Sequence, residues 1–313
     1  MTKNIPIVVF AYNRATQLRM VLERLVDAEN IERHDVIVYI DGPKRERDVE
    51  GVAQVEQAVK QVRENRLPRL EIVRREKNYG CQKNISTAIT SVINQYGCVI
   101  VVEDDVLVSR TFLTYMDAAL EFYKDDERIW GVNGHQCPYM RIPQSYPYDI
   151  YLSPRNLCTG WATWADRWNG VDFEIRDWPD FIANAENRQR VENAGIDIRD
   201  MLDKHYRGKL NSWALPCTYY MIKNNLYMIE PRRPLTKNVG FGIESVHCGN
   251  REEMWAHQKY YNFLPNLVRD ILSEPKIMSQ FKYVYNDPRL LHRIIRKGQR
   301  IFKSWQPLFN YPR

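Results

Sequence analysis

Apolar residues fall along the chain in short compact runs, and between the runs the spacing changes to that of helices. Ile5 to Ala11 is the first run, closed by Tyr12-Asn13-Arg14; from Gln17 to Val26 leucines and a methionine recur at helical spacing. Strand, loop and helix are predicted there. The alternation repeats. Val36 to Ile40 ends at Asp41-Gly42-Pro43, a polar helix begins near Asp48, Leu70 to Val73 makes another run, a helix spans about Gln82 to Tyr96, and Cys98 to Val102 is again β-branched. Short strands separated by helices indicate βαβ units, hence a mainly parallel sheet with helices on both faces. After Trp130 the alternation fades into a stretch rich in Trp, Tyr, Pro and charge, about His135 to Arg207, which reads as the acceptor side of a site. Further strands are expected at Leu226 to Ile229 and around Val239, just before Gly240-Phe241-Gly242, whose glycines permit a close approach of backbone to ligand. From about Glu252 the chain reads as helical and irregular, with a basic stretch from Arg289 to Lys303.

In sheets of this kind ligands bind in a crevice beyond the carboxyl ends of the strands. The polar clusters fall at those ends: Asn13-Arg14, Asp41-Gly42, Lys77-Asn78-Tyr79-Gly80 and Glu103-Asp104-Asp105. No turn carries a Walker A sequence or a GxGxxG fingerprint, which argues against an NTPase or a dinucleotide enzyme. Three consecutive carboxylates repel one another unless a cation or several donors offset them. Two readings are compatible with the spacing. One is a Mg²⁺ or Mn²⁺ site, since hard cations take oxygen ligands and leave room for substrate phosphate. The other is an acidic loop capping the next helix, with Asp104 or Asp105 near its N-terminus.

Composition narrows the classes. At 313 residues the chain can bury a full core, and one large α/β domain with a tail is the preferred organisation. The 8 Trp and 19 Tyr exceed what a core requires and suit stacking on sugars or bases, although packing can absorb any one of them. A net charge of +6, dispersed until the C-terminus, gives no reason to expect a nucleic-acid partner. The six cysteines are scattered without a CxxC pair, so neither a zinc site nor a disulfide framework is indicated, and reduced thiols are expected. The opening segment reads as a buried strand rather than a signal peptide or membrane anchor, and no other stretch approaches a spanning length. A cytosolic location is expected, on the cytosolic face of the inner membrane if the protein is peripheral.

The run VVEDDVLVSRTFLTYMDAAL resembles the metal-binding motif of nucleotide-sugar glycosyltransferases with the GT-A fold. It is most similar to that of the inverting N-acetylglucosaminyltransferase of complex N-glycan initiation and of bacterial polysaccharide transferases of the family 2 kind. VFAYNRATQLRMVLERL, YIDGPKRERD, REKNYGCQKNISTAI, CTGWATWADRW and NVGFGIESVHCG carry the same resemblance in the same order, over roughly residues 4 to 250. It implies a Rossmann-like GT-A domain over residues 1–250, with a nucleotide-sugar half (1–133) and an acceptor half (134–250), followed by a helical extension (251–313). It implies Mn²⁺ or Mg²⁺, a UDP-sugar donor, and a saccharide or lipid-linked saccharide acceptor in surface polysaccharide or lipopolysaccharide synthesis. Asp105 would be the principal metal ligand, with Glu103 and Asp104 on the ribose or on water around the metal, and His247 a further ligand. Asp41 would accept a hydrogen bond from the base, and Ala11, Tyr12 and Arg14 would line the same pocket. Asn78, Gly80 and Asn84 would border the nucleotide sugar, and Trp161 would stand at the donor–acceptor junction; Trp164 and Trp168 read equally well as core.

The pattern departs from the family at one point. An inverting transfer needs a carboxylate base at the acceptor hydroxyl, and relatives place it beside a tryptophan. Here Lys209 to Leu215 has no acid on either side of Trp213. Asp203 and Glu244 are the substitutes, and Ser212 is a third candidate catalytic residue. In the tail, Leu290, Leu291, Ile294, Ile295, Ile301 and Phe302 alternate with basic residues, which suits an amphipathic helix on anionic lipid and equally a terminal helix docked on the domain. Two rival functions remain: a nucleotidyltransferase, for which AYNRATQ lacks the glycine-rich loop, and an inactive carbohydrate-binding protein of the same fold.

Overall fold

A computed structural model of the chain describes residues 4–240, 255 and 257–285. The first half alternates as the apolar runs predict. It comprises β1 (Ile7–Ala11), α1 (Ala15–Val26), β2 (Val36–Ile40), α2 (Val49–Asn65), β3 (Glu71–Arg74), α3 (Cys81–Tyr96) and β4 (Cys98–Glu103). There follow β5 (Val106–Val108), α4 (Phe112–Tyr123), β6 (Ile129–Asn133), β7 (Ile150–Ser153), β8 (Trp161–Trp164) and four helices: α5 (Ala165–Trp168), α6 (Trp178–Ala183), α7 (Ala185–Ala194) and α8 (Ile198–Tyr206). The last described elements are α9 (Ala214–Asn224), β9 (Tyr227–Pro231), β10 (Thr236–Asn238) and α10 (Pro275–Val284).

Eight strands form one sheet in the order β3-β2-β1-β4-β8-β6-β9-β7, and β10 with β5 forms a separate ribbon. Strands β1 to β4 pair in parallel. Strand β8 runs antiparallel between β4 and β6, β9 is parallel to β6, and β7 closes the edge antiparallel to β9. The chain therefore leaves β1, β2, β3, β4, β6 and β9 at the same edge of the sheet, and function should be sought there. The strands of the stretch from about His135 to Arg207 join this sheet rather than building a second one.

Both faces are covered because successive side chains of a strand point to opposite sides. Ile7, Val9, Ala11, Val38, Ile100 and Val102 pack with Leu18, Leu22 and Val55 of α1 and α2 and with Met116 of α4. Val8, Phe10, Ile37, Val99 and Val101 pack against Ile85, Ile89 and Val92 of α3 and against Trp168 and Met221. Each fully buried Val or Ile contributes on the order of 1.5–3 kcal/mol. A smaller apolar cluster joins α6 to α9 through Trp178, Leu202 and Tyr219. Helix α10 seats Ile277, Phe281 and Val284 against Cys137, Met140 and Tyr151.

Two expectations need revision. No helix follows the acidic cluster, because Val106-Leu107-Val108 continues as a strand and α4 has Thr111 at its N-cap, so the capping role for Asp104 or Asp105 falls away. Strands β5, β6, β7 and β8 go beyond those the apolar runs predict. In β8, Trp-Ala-Thr-Trp is buried at every position, which leaves no alternation to read. Cys81, Cys98, Cys137, Cys158 and Cys217 are free thiols, and among the described residues no helix is long and apolar enough to cross a membrane.

Candidate functional site

At the common carboxyl edge a cavity of about 370 Å³ opens between the ends of β1, β2 and β4 and the start of α3. Ala11, Tyr12, Asp41, Asn78, Gly80, Asn84, Glu103 and Asp104, all singled out in the sequence, line it together. Phe10, Lys44, Arg45, Cys81 and Ile85 complete the wall. The first and last of these are core-facing residues whose exposed ends escape a pattern-based reading; Lys44 and Arg45 were visible only as two more charges in a polar loop.

Asp41 organises one side. Its Oδ1 accepts the backbone N–H groups of Gly42 (3.0 Å) and Tyr79 (2.8 Å), and its Oδ2 accepts from Gly80 N–H (3.0 Å) and Asn78 Nδ2 (3.1 Å). Four donors fill the acceptor positions of one carboxylate. A base donating to Asp41 would have to displace one of them, so in this structure the residue holds the loop ahead of α3 in shape. Gly80 enters that helix at φ +74°, a left-handed conformation that glycine adopts without strain. Asn84 Oδ1 accepts from Arg75 Nε (3.0 Å), and the Arg75 guanidinium lies over the rings of Tyr39 and Tyr79. Tyr12 Oη accepts the N–H of Lys44 (3.0 Å), tying the loop after β1 to the loop after β2.

The acidic turn forms the other side. Asp105 Oδ2 accepts from Arg14 Nη1 at 3.1 Å, and Arg14 stands 3.9 Å from Asp104. Asp105 Oδ1 accepts from Asn238 Nδ2 at 3.3 Å, and its carbonyl accepts Val239 N–H at 2.7 Å, so the β5/β10 ribbon clamps the turn. Asn238 is a contact that the sequence did not announce; the neighbouring glycine did. A Cβ added at Gly240 would lie 2.0 Å from Asp105 Oδ2. Burial raises the Glu103 carboxyl well above the carboxylate range, with Asp105 and Asp104 adding to it. Asp104 is raised to about 7 by burial and by Asp105, against the pull of Arg14. Asp105 is raised by burial, with Arg14 and Asn238 acting in the opposite direction. The same negative charge reaches Cys81, whose thiol is pushed up to about 12 by burial first and then by Glu103.

These residues fit a divalent cation of the open kind. Three carboxylates crowd one turn, Glu103 Oε1 is buried without a hydrogen-bond partner, and Arg14 is the one basic group in ion-pair range of the turn among the described residues. No group of three or more His, Cys, Asp or Glu side chains converges to hold an ion among the described residues. An ion held here by one or two of these carboxylates would need phosphate oxygens and water to complete its shell.

Other expected residues stand elsewhere. Trp161 is fully buried and stacked on Trp130, Trp168 and Trp213, at centroid distances of 5.7, 6.0 and 5.0 Å, so no ring face is open to a sugar. Asp203 accepts the indole N–H of Trp178 at 2.8 Å, as a strut of the helical cluster. Ser212 receives Leu215 N–H at 3.4 Å at the start of α9. Its neighbour Asn211 accepts Gln82 N–H at 3.2 Å, which brings this segment to the cavity's rim at α3. Glu244 and His247 lie outside the described residues.

The sequence model of the GNT-I family matches residues 1–197. No curated protein matches by sequence. Among solved structures, the chain is similar to the mannosyltransferase PcManGT from Pyrobaculum calidifontis in complex with GDP-Man and Mn²⁺ (17% identity, TM-score 0.41, 55% of this chain and 48% of that one). It is similar also to S. aureus TarS (16%, TM-score 0.40, 73% and 36%) and to the galactosyltransferase LgtC in complex with donor and acceptor sugar analogs (10%, TM-score 0.38, 76% and 74%). The chain thus spans about half the length of the first and a little over a third of the second. These likenesses are distant, and the architecture stands on its own strand order and register.

Proposed function

From the premise that the chain belongs to the GNT-I family and is a nucleotide-sugar glycosyltransferase of the GT-A type, we infer a metal-dependent transfer from a UDP-sugar to a saccharide or lipid-linked saccharide. The observation that carries this is the cavity itself, where Asp41, Asn78, Gly80 and Asn84 face the carboxylate turn across a space of about 370 Å³. The nucleotide lies between the loops after β1 and β2, and the diphosphate points to the turn. Asp105 would hold the cation, with Glu103 and Asp104 beside it and His247 as a further ligand. When bound, a Mn²⁺ or Mg²⁺ ion supplies the positive charge that stabilises a departing diphosphate. The ribbon's clamp on Asp105 keeps that carboxylate in place before substrate arrives, and Arg14 balances part of its charge.

The transfer is read as inverting: the acceptor hydroxyl attacks the anomeric carbon, the bond to the diphosphate oxygen breaks, and a base takes the hydroxyl proton. Asp203 already accepts the Trp178 indole N–H and Ser212 Oγ accepts Leu215 N–H at the start of α9, so Glu244 is the residue to replace first. Surface polysaccharide or lipopolysaccharide synthesis at the cytosolic face of a membrane is the setting that suits such an acceptor. The test is donor hydrolysis and transfer across a panel of nucleotide sugars with Mn²⁺, alongside thermal shifts with UDP. UDP should raise the melting temperature of the wild type, and Asp105→Ala should lower turnover by about a hundredfold or more. Undiminished turnover in Asp105→Ala would remove the metal role. Donor binding without turnover would make the protein a binder.

A further inference from the structure

The sheet edge that carries the donor cavity carries a second hollow, of about 530 Å³, where the chain leaves β6 and β9. Arg141 reaches it from the segment after β6, Arg232 and Arg233 follow β9 directly, and Lys259 comes from the segment after residue 257. Among the described residues no carboxylate lines it. None of the four cations is ion-paired among the described residues. Glu230, two residues before Arg232, is wholly buried and accepts from Tyr151 Oη; Asp149, whose carbonyl accepts Arg232 N–H, has its side-chain Oδ2 taken by Asn266 N–H and Nδ2, at 3.1 and 2.7 Å.

The guanidinium groups are nonetheless held in position. Arg141 Nη1 donates to the Pro138 carbonyl and Arg232 Nη1 to the Tyr146 carbonyl, each at 3.1 Å. Arg233 stands 5.9 Å from the ring centroids of both Tyr261 and Phe263. Carbonyls and rings fix direction without neutralising charge. Grouping four like charges costs folding energy through mutual repulsion, and fixed arginines with free donors match the oxygens of phosphate or carboxylate. The place of the hollow is equally informative. Strand order puts β9 three positions from β4, by way of β8 and β6. At the usual inter-strand spacing that is about 14 Å along the edge, a distance crossed by an oligosaccharide of a few units.

We propose that this basic hollow binds an acidic acceptor glycan, its phosphate or carboxylate groups on Arg141, Arg232, Arg233 and Lys259 while its reacting hydroxyl lies at the donor cavity. The proposal rests on the glycosyl-transfer reading and adds the charge class of the acceptor. Neutral saccharides would miss the four cations, and an acidic group on the reacting sugar itself would fall short of them.

The test is calorimetric binding of trigalacturonate, of a phosphodiester-linked glycerol trimer and of neutral maltotriose, to the wild type and to the Arg141→Glu/Arg233→Glu/Lys259→Glu variant. At least one acidic trimer should bind about tenfold or more tightly than maltotriose, weaken as ionic strength rises, and lose that advantage in the variant; the tighter of the two identifies the acid. The UDP-induced thermal shift should be unchanged in the variant, which reports that it is folded and its donor cavity intact. Equal binding of acidic and neutral trimers, or full retention in the variant, would overturn the proposal. So would failure of both acidic trimers to bind while the variant alone loses its hold on phosphatidylglycerol vesicles, which would make the hollow a membrane surface. Loss of UDP binding by the wild type with acidic-trimer binding retained would instead count against the donor reading alone. A variant that fails to fold is replaced by Arg233→Gln, whose loss of the acidic preference carries the same meaning.

Discussion

Gly240 passes so close to Asp105 that a methyl group there would lie 2.0 Å from Oδ2, and the carboxylate would have to turn away from Arg14 or Asn238. Gly240→Ala should therefore lower sugar transfer by about tenfold or more, since small misplacements of a positioned group cost rate steeply. The melting temperature should barely change, because no core residue is touched. Unaltered transfer would show that Asp105 has no fixed place to lose. Glu230 bears on stability instead. It is wholly buried, accepts from Tyr151 Oη at 2.5 Å, and is raised to about 7 by burial, against the pull of Tyr151, Ser153 and Arg155. Between the ordinary glutamate value and about 7 the native state keeps a proton that the unfolded chain has lost. Unfolding free energy should then fall as pH rises through that window and level off above it, by at most about 3 kcal/mol from this group. Glu230→Gln should flatten part of that slope in denaturant titrations at several pH values, and an identical slope would show that Glu230 titrates normally.

Among the elements, β1 to β4 were legible because each is a compact apolar run closed by a polar turn, the imprint of a strand covered on both faces. Strand β5 was not, since three residues carry no periodicity; a strand was expected around Val239, beside β10, but its pairing with β5 joins positions far apart in the chain. The reading of Glu103-Asp104-Asp105 shows the division. Sequence placed the cluster at the end of a buried strand correctly and left cap and metal site open; Val106–Val108, being a strand, removes the cap. Trp161 shows the opposite error, because nothing in Gly-Trp-Ala-Thr-Trp distinguishes an indole presented to sugar from one packed among three others. The loop before α3 supplies a test at this scale. Asp41→Asn leaves one carbonyl oxygen where two carboxylate oxygens met four donors. Each buried donor left unsatisfied costs about 1–3 kcal/mol. The Tyr79 and Gly80 amides should exchange with solvent faster, and UDP should no longer raise the melting temperature. Wild-type exchange with UDP binding lost would restore Asp41 to direct contact with the base.

The whole molecule has a net charge of +6, a figure that conceals a division along one edge: carboxylates over β2, β1 and β4, arginines over β6 and β9. Motifs pointed to the first half of that edge because each of its segments is a polar cluster that closes a strand or opens a helix. The second half draws on three separated segments, and only folding brings them together. Helix α10 is anchored through Phe281 and Val284, so the chain beyond it is not needed to complete the described core. If the tail holds the protein to anionic lipid, removing residues 289–313 should leave the melting temperature within a few degrees and abolish co-sedimentation with anionic vesicles; unchanged binding would overturn that role for the tail. Strand β8, inserted between β4 and β6, has a consequence for assembly. Until the chain has been made as far as Trp164, β4 presents an unpaired apolar edge, open to any other extended segment. The strands on either side of β8 are therefore expected to unfold in one transition, and a graft of residues 1–133 alone would leave β4 without its neighbour.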